Sequence, residues 1–362
     1  MSKAEKPVLL VGAVARDTAD EVFHLLGSTI GDLAIGISDG EPGMRRFWIL
    51  YIAEKTWRRH PDMKLVRETS EQVPGMPPWV PGGYHDFQWF APKDGISKLS
   101  AVDTLGYPAE AAESYALFRR LREDGLFPAD TRFQQCLPFP EDACRLVTND
   151  ADSLALMVDC YIDVLKRDVA RLCEAIPPEE LVIQWDINWE TIAIEHGDHL
   201  PDTPPMQFKP HGDPMERYRR FIRELNVVVP DSTKLGLHLC YGDLHHKHFK
   251  DPEDLLASVK MANAAHEESI RPIDFVHMSV PRHRSDDAYF EPLGDLDIGD
   301  TAIYAGLVHH TDGVAGTLKR LETFKRHFDG PTGLATECGI GRRPNEQIED
   351  LLAIHGHVAA SL

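Results

Sequence analysis

Apolar residues along this chain fall into two alternating patterns. Short runs, apolar throughout or at every second position, recur at 7–13, 33–38, 131–137, 181–186, 235–240, 273–280, 301–308 and 333–338. Between them lie stretches whose apolar residues return every three or four positions, at 17–26, 42–58, 111–123, 149–173, 215–225, from 251 onward, at 314–328 and at 344–358. The first period belongs to strands and the second to helices facing a core. Local signals agree: Asn149 and Asp150 supply a helix cap, Gly125 a stop, and Pro42 a first turn. Eight strands, most followed by a helix and apolar on both faces, predict a parallel sheet covered on both sides. The expectation is an α/β fold, a single (β/α)8 TIM barrel over residues 1–362. The competing open doubly wound sheet lacks support, because no Gly-x-Gly-x-x-Gly follows a strand.

Two segments interrupt the rhythm, at about 60–106 and 192–213. The first is rich in turns and carries Trp79, Tyr84, Phe87, Trp89 and Phe90, which read as exposed aromatics. Both are expected to be insertions at the C-terminal face of the barrel, the first acting as a lid or substrate-binding element.

Composition narrows the functions. The 362 residues, 43% of them hydrophobic, are enough for a large core. A net charge of -20 argues against nucleic acid and anionic membrane as partners, since both need cationic patches. No apolar run approaches the roughly 20 residues of a membrane span, and the first residues show no signal-peptide pattern. A cytoplasmic protein acting on a small molecule is the expectation. Cysteines 136, 144, 160, 173, 240 and 338 are scattered, which reads as free thiols or metal ligands rather than disulfides.

In a barrel of this kind, catalysis sits at the C-terminal strand ends. Those ends carry Gly12, Asp39 and Glu41, Gln184 and Asp186, His238 and Cys240, His277, His309 and His310, and Glu337 and Cys338. His238 and Cys240, two apart on a strand, project to one side. Imidazole nitrogen and thiolate sulfur are ligands that zinc prefers. Cys338, about a hundred residues later on another strand, completes three ligands and leaves a fourth position open. The plain alternative is a buried Cys beside a satisfied His, with polar residues ending strands because loops begin there.

Four pieces, taken in order, resemble the catalytic barrel of cobalamin-independent methionine synthase and its single-barrel relatives, in the larger group that includes uroporphyrinogen decarboxylase. Gly40-Glu41-Pro42 is similar to the Gly-Glu-Pro of that family, and Ile183-Gln-Trp-Asp186 to its Ile-Gln-x-Asp. His238-Leu-Cys240-Tyr241 is similar to its His-Met-Cys-Tyr, and Glu337-Cys338-Gly339 to its Asp-Cys-Gly. The resemblance implies one Zn2+ per chain on His238, Cys240 and Cys338, and an amine-bearing acceptor held by Glu41 and Asp186. The family's fourth ligand is a glutamate; Pro281 stands in that slot, and proline cannot ligate. His283 and His277 are the nearest replacements by sequence. The first strand also departs, reading Gly12-Ala13 where the family has Gly-Ser.

The resemblance further implies transfer of a methyl or other alkyl group to or from a zinc-activated thiol, with a thiol co-substrate. Gly12, Trp79, Arg342 and Arg343 join Glu41 and Asp186 as candidate substrate contacts, the arginines for a carboxylate. A second reading keeps the metal and dispenses with the thiol. There, zinc polarises an oxygen while His309 or His310 moves protons, as in a lyase, decarboxylase or hydrolase acting on a small, aromatic or apolar substrate. His245, His246 and His248 cluster in the loop after Cys240. A third reading is a non-catalytic binding barrel whose cysteines are merely buried.

Overall fold

A computed structural model of the chain describes residues 3–83, 85–242 and 248–362. Among these, the strands are β1 (Lys3–Val8), β2 (Met63–Arg67), β3 (Trp89–Pro92), β4 (Phe133–Pro138), β5 (Leu181–Ile187), β6 (Lys234–Leu239), β7 (Phe275–Ser279), β8 (Ala302–Val308) and β9 (Thr332–Thr336). Seven form one parallel sheet in the order β1-β9-β8-β7-β6-β5-β4, and β2 and β3 pair separately as an antiparallel ribbon. The expected strand at 33–38 is not regular. It bonds first to the β1 edge (Val8 N to Leu33 O, 3.1 Å; Ile35 N to Val8 O, 3.0 Å) and then to the β4 edge (Ile37 N to Arg132 O, 3.0 Å; Gln134 N to Ile37 O, 2.9 Å). Each edge engages it for too few residues to build a ladder. The sheet is therefore a curled, TIM-barrel-like one of seven regular strands, with this segment bridging its two edges.

The interior follows from the two-residue period. Leu9, Val11, Val182, Phe275, Ala302, Tyr304 and Ala335 pack together as an apolar plug. The Phe275 and Tyr304 rings meet edge to face, 5.6 Å apart. Gly236 lies opposite Phe275, and Gly333 opposite Tyr304. A Cβ at either glycine would collide with the facing ring. Above the plug sit two buried amides, with Gln134 Nε2 donating to Leu10 O (2.8 Å) and Gln184 Nε2 to Val11 O (2.7 Å). Two residues further along the same strand faces come Cys136, Asp186, His238 and His277. On β5 one alternation thus runs from the apolar plug (Val182) to the polar floor (Gln184) to strand-end chemistry (Asp186).

Helices cover the outside. The 151–175 helix is typical: Asp150 caps it by accepting from Ser153 N (2.8 Å), and Leu154, Met157, Val158, Tyr161, Ile162 and Leu165 are buried. No helix among the described residues is long and apolar enough to cross a membrane.

Three expectations need correction besides that strand. The stretch 42–58 is not one helix: a 3-10 turn (Gly43–Phe47), a helix (Ile49–Lys55) and a second turn (Trp57–Arg59) are broken at Trp48, whose φ is 52°. The stretch 60–106 holds more than turns. Beyond its β2–β3 ribbon, the Asp86 carboxylate accepts from Ser70 N (2.8 Å), Ser70 Oγ (2.6 Å) and Glu71 N (2.8 Å), and Asp168 accepts from Leu105 N (2.8 Å). Its aromatics are not exposed either. Trp79, Phe87 and Phe90 are buried, and Trp89 lies under the Arg67 guanidinium at 3.3 Å; Tyr84 lies outside the described residues. Within 192–213, the loop after the Trp189–His196 helix is pinned by a buried charge cluster. Arg145 Nη1 pairs with Glu141 (3.0 Å) and Asp198 (3.2 Å), and Arg217 reaches the same carboxylates (2.5 and 2.7 Å).

The close glycine–ring approach makes a test of the interior. Gly236→Ala is expected to destabilise the protein by about 1–3 kcal/mol through overpacking, read as a lower urea midpoint at unchanged slope. An unchanged midpoint would mean that the plug is looser than the contacts indicate.

Candidate metal centre

β6 delivers His238 at its end, and Cys240 follows with its backbone N bonded to Ile187 O (2.9 Å). Cys338 follows β9 and is fixed on both sides: its carbonyl accepts from Thr336 Oγ1 (2.7 Å), and Ile340 N donates to Ala13 O (2.9 Å). Ser279 Oγ lies within reach of Leu239 O (3.2 Å) and Glu337 O (2.8 Å), tying the ends of β6, β7 and β9 together. The result brings His238, Cys240 and Cys338 together with ligand atoms all within 4.8 Å of one another. Cys338 Sγ is 3.7 Å from His238 Nε2. Contact with Cys338, then burial, pushes the Cys240 thiol well above its ordinary range. Two thiols and an imidazole, packed this closely and mostly buried, fit a soft divalent cation.

Neither sequence candidate for a fourth ligand belongs to this group. His283 is exposed on the loop after β7. His277 is buried, but its nitrogens are engaged, Nδ1 with His238 Nδ1 at 2.7 Å and Nε2 with Thr336 O at 2.9 Å. Pro281 is buried. Glu337 faces two other histidines, His248 Nε2 at 2.9 Å and His309 Nδ1 at 3.7 Å.

Facing the cluster is a carboxylate pair. Burial holds Asp186 well above the usual carboxylate range, although Gln184 Nε2 donates to it at 2.8 Å. Burial and the neighbouring Asp39 push Glu41 up to about 7. Glu41 sits in a backbone hook with φ of 58°, between Gly40 (78°) and Gly43 (68°). Its amide donates to Asp39 Oδ1 (3.0 Å), and Asp39 is held by Ser114 Oγ (2.6 Å) and Arg45 (2.7 Å). Glu41 and Trp48 are the only non-glycine residues with a left-handed backbone among those described. Each costs on the order of 1 kcal/mol, and both line the same cavity.

That cavity holds about 110 Å³ of free space. The three candidate ligands, Gly12, Glu41 and Asp186 all line it. Phe47, Trp48, Ile49, Leu50, Phe87 and Phe249 supply an apolar wall. Four consecutive residues contribute to that wall because the chain breaks at Trp48; an unbroken helix would point them about 100° apart. Arg46 and Arg342 also line the cavity.

Other sequence candidates are placed less directly. Trp79 stands behind the wall, its ring edge-on to Phe47 at 5.3 Å. Arg343 is half-buried on the turn after Cys338. His309 is buried with Nε2 2.8 Å from Val280 O, and His310 pairs with Asp350 (3.1 Å). His245 and His246 lie outside the described residues. Phe249 and Arg46 carry no signal in the sequence, because their lining roles depend on loop paths, and Phe87 reads there only as an exposed aromatic.

Fold and site together define a TIM-barrel-like α/β protein with a candidate His-Cys-Cys metal centre at the C-terminal ends of its strands. No protein-family model matches the chain, and no curated protein matches it in sequence. Among solved structures it is similar to a B12-independent methionine synthase from Shewanella sp. W3-18-1 in complex with selenomethionine. The TM-score is 0.60 at 13% identity, covering 98% of this chain and 97% of that one. At that identity the likeness is one of fold.

Glu41 makes stability depend on pH. Its folded pKa, about 7, exceeds its ordinary 4.5, so ionising it costs more in the folded state. Wild type should therefore lose stability relative to Glu41→Gln as pH rises from about 4.5 to about 7, and level off above. The difference should be on the order of 1–3 kcal/mol, measured by urea unfolding at several pH values. A gap that does not vary with pH would show that Glu41 titrates normally.

Proposed function

We propose that the chain is a zinc-dependent enzyme of the methionine synthase type, transferring a methyl or other alkyl group to or from a thiol, with one Zn2+ per chain. The observation that carries this reading is the meeting of a His238 ring nitrogen and the Cys240 and Cys338 sulfurs within 4.8 Å beside a cavity also lined by Glu41 and Asp186. Zinc bound by these three would act as a Lewis acid, lowering the pKa of a substrate thiol so that it is a thiolate nucleophile at neutral pH. The chain's own groups do the rest. Glu41 and Asp186 favour a cationic amine, which supplies the charge that their burial otherwise penalises. Arg342, and Arg343 on the same turn, suit a substrate carboxylate. Phe47, Trp48, Phe87 and Phe249 keep water from the transferred group and favour an apolar one.

A second reading draws on Pro281. With no glutamate in that position, an open coordination site would also serve to polarise a substrate oxygen in a lyase, decarboxylase or hydrolase reaction. Thiol consumption separates the two.

The test is metal and thiol together. Purified protein is expected to carry about one zinc per chain and to consume a thiol when given an alkyl donor. Cys240→Ser and Cys338→Ser should each lose the metal and the activity while keeping their circular dichroism. Metal retained by both variants, or none in wild type purified without chelators, would overturn the reading. Turnover without any thiol would favour the second one.

A further inference from the structure

Zinc binding by His238 depends on which of its two ring nitrogens carries the proton. Only an unprotonated Nε2, the nitrogen 3.7 Å from Cys338 Sγ, can ligate beside the two sulfurs. The surrounding atoms decide this without reference to the metal. His277 Nε2 lies 2.9 Å from Thr336 O. A carbonyl oxygen can only accept, so that nitrogen carries the hydrogen. The two Nδ1 atoms, 2.7 Å apart, must share one proton between them. Were it on His277, that ring would be a cation; His277 is fully buried, and its two bonds are to a carbonyl and to an imidazole. The neutral arrangement places the proton on His238 Nδ1, donating to His277 Nδ1, and leaves His238 Nε2 as a lone pair turned toward the sulfurs.

We infer that His277 is a positioning residue, a tautomer lock that presets His238 for metal through a relay running from Thr336 O to His277 to His238. The inference rests on reading His238, Cys240 and Cys338 as a zinc site. Strand register builds the relay. His238 and His277 are direct neighbours on β6 and β7, and Thr336 ends β9, two residues before Cys338. The carbonyl that orients the relay thus belongs to the strand that delivers the third ligand, so imidazole and thiol are set by one piece of backbone. Outer hydrogen bonds of this kind are typically worth about 10–100-fold in metal affinity.

Two substitutions separate positioning from packing. His277→Phe keeps a ring and removes both polar contacts. His277→Gln offers an oxygen to His238 Nδ1–H and an N–H to Thr336 O. Zinc affinity, measured by competition with a chromophoric chelator, should fall about 10–100-fold in the phenylalanine variant and stay within about threefold of wild type in the glutamine variant. Equal affinity in wild type and a folded His277→Phe, or an equal loss in both variants, would overturn the inference. A second measurement needs no substitution and no metal: nitrogen-15 NMR of histidine-labelled, zinc-free wild type. His238 is expected as the Nδ1–H tautomer and His277 as the Nε2–H tautomer; His238 protonated on Nε2 would refute the lock even if His277→Phe failed to fold. Wild type that binds no zinc but shows these tautomers would sink the metal site and leave the relay standing.

Discussion

Everything at the candidate centre depends on the parallel register of neighbouring strands. Asp186 on β5, His238 on β6 and His277 on β7 are direct neighbours across the sheet, so their side chains emerge side by side on one face. A slip of one residue in any of these strands would turn its member outward into the helix layer. The register is held from below by the Phe275–Tyr304 plug and its facing glycines. From above it is held by the Ser279 hydroxyl between the ends of β6 and β9. The apolar plug thus contributes to function indirectly, by fixing which residues face inward at the top.

Burial sets the chemistry of the inward-facing groups. Asp186, Glu41, Cys240 and His238 resist charging here: the first three are raised and His238 is lowered, each with burial among the causes. A neutral set of this kind is poised to be charged by an entering ligand. A divalent cation displaces thiol protons, and an ammonium group draws protons off the carboxyls. The strain at Glu41 and Trp48 has the same logic. Two left-handed residues aim a carboxyl and an apolar wall at one cavity, at a cost that the surrounding packing absorbs.

How much of this is legible in the sequence depends on the range of the interaction. The helices and most strands follow from local periodicity, and the ligand triplet follows from two strand ends with His-x-Cys spacing. The 33–38 segment reads as a strand because its own residues alternate properly; its division between two edges is decided by β1 and β4. The break at Trp48 is equally invisible, since Arg46-Phe47-Trp48-Ile49-Leu50 looks like ordinary helix. His277 reads in the sequence as a possible fourth ligand. Its engagement by His238 and Thr336 spans 39 and 59 residues of sequence, and only the register of three strands brings those atoms together. The aromatics of 60–106 look exposed because they sit among prolines and glycines, yet Trp79, Phe87 and Phe90 are buried.

If His238, Cys240 and Cys338 hold zinc in order to engage a thiol, the metal's own coordination shell must show it. Zinc-edge X-ray absorption of the metal-loaded protein, with and without L-homocysteine, tests this most directly. The expected shell has about two sulfurs near 2.3 Å and one nitrogen near 2.0 Å, rising to three sulfurs when the thiol is added. A shell without sulfur would contradict the metal site, and a sulfur count unchanged by the thiol would contradict its use.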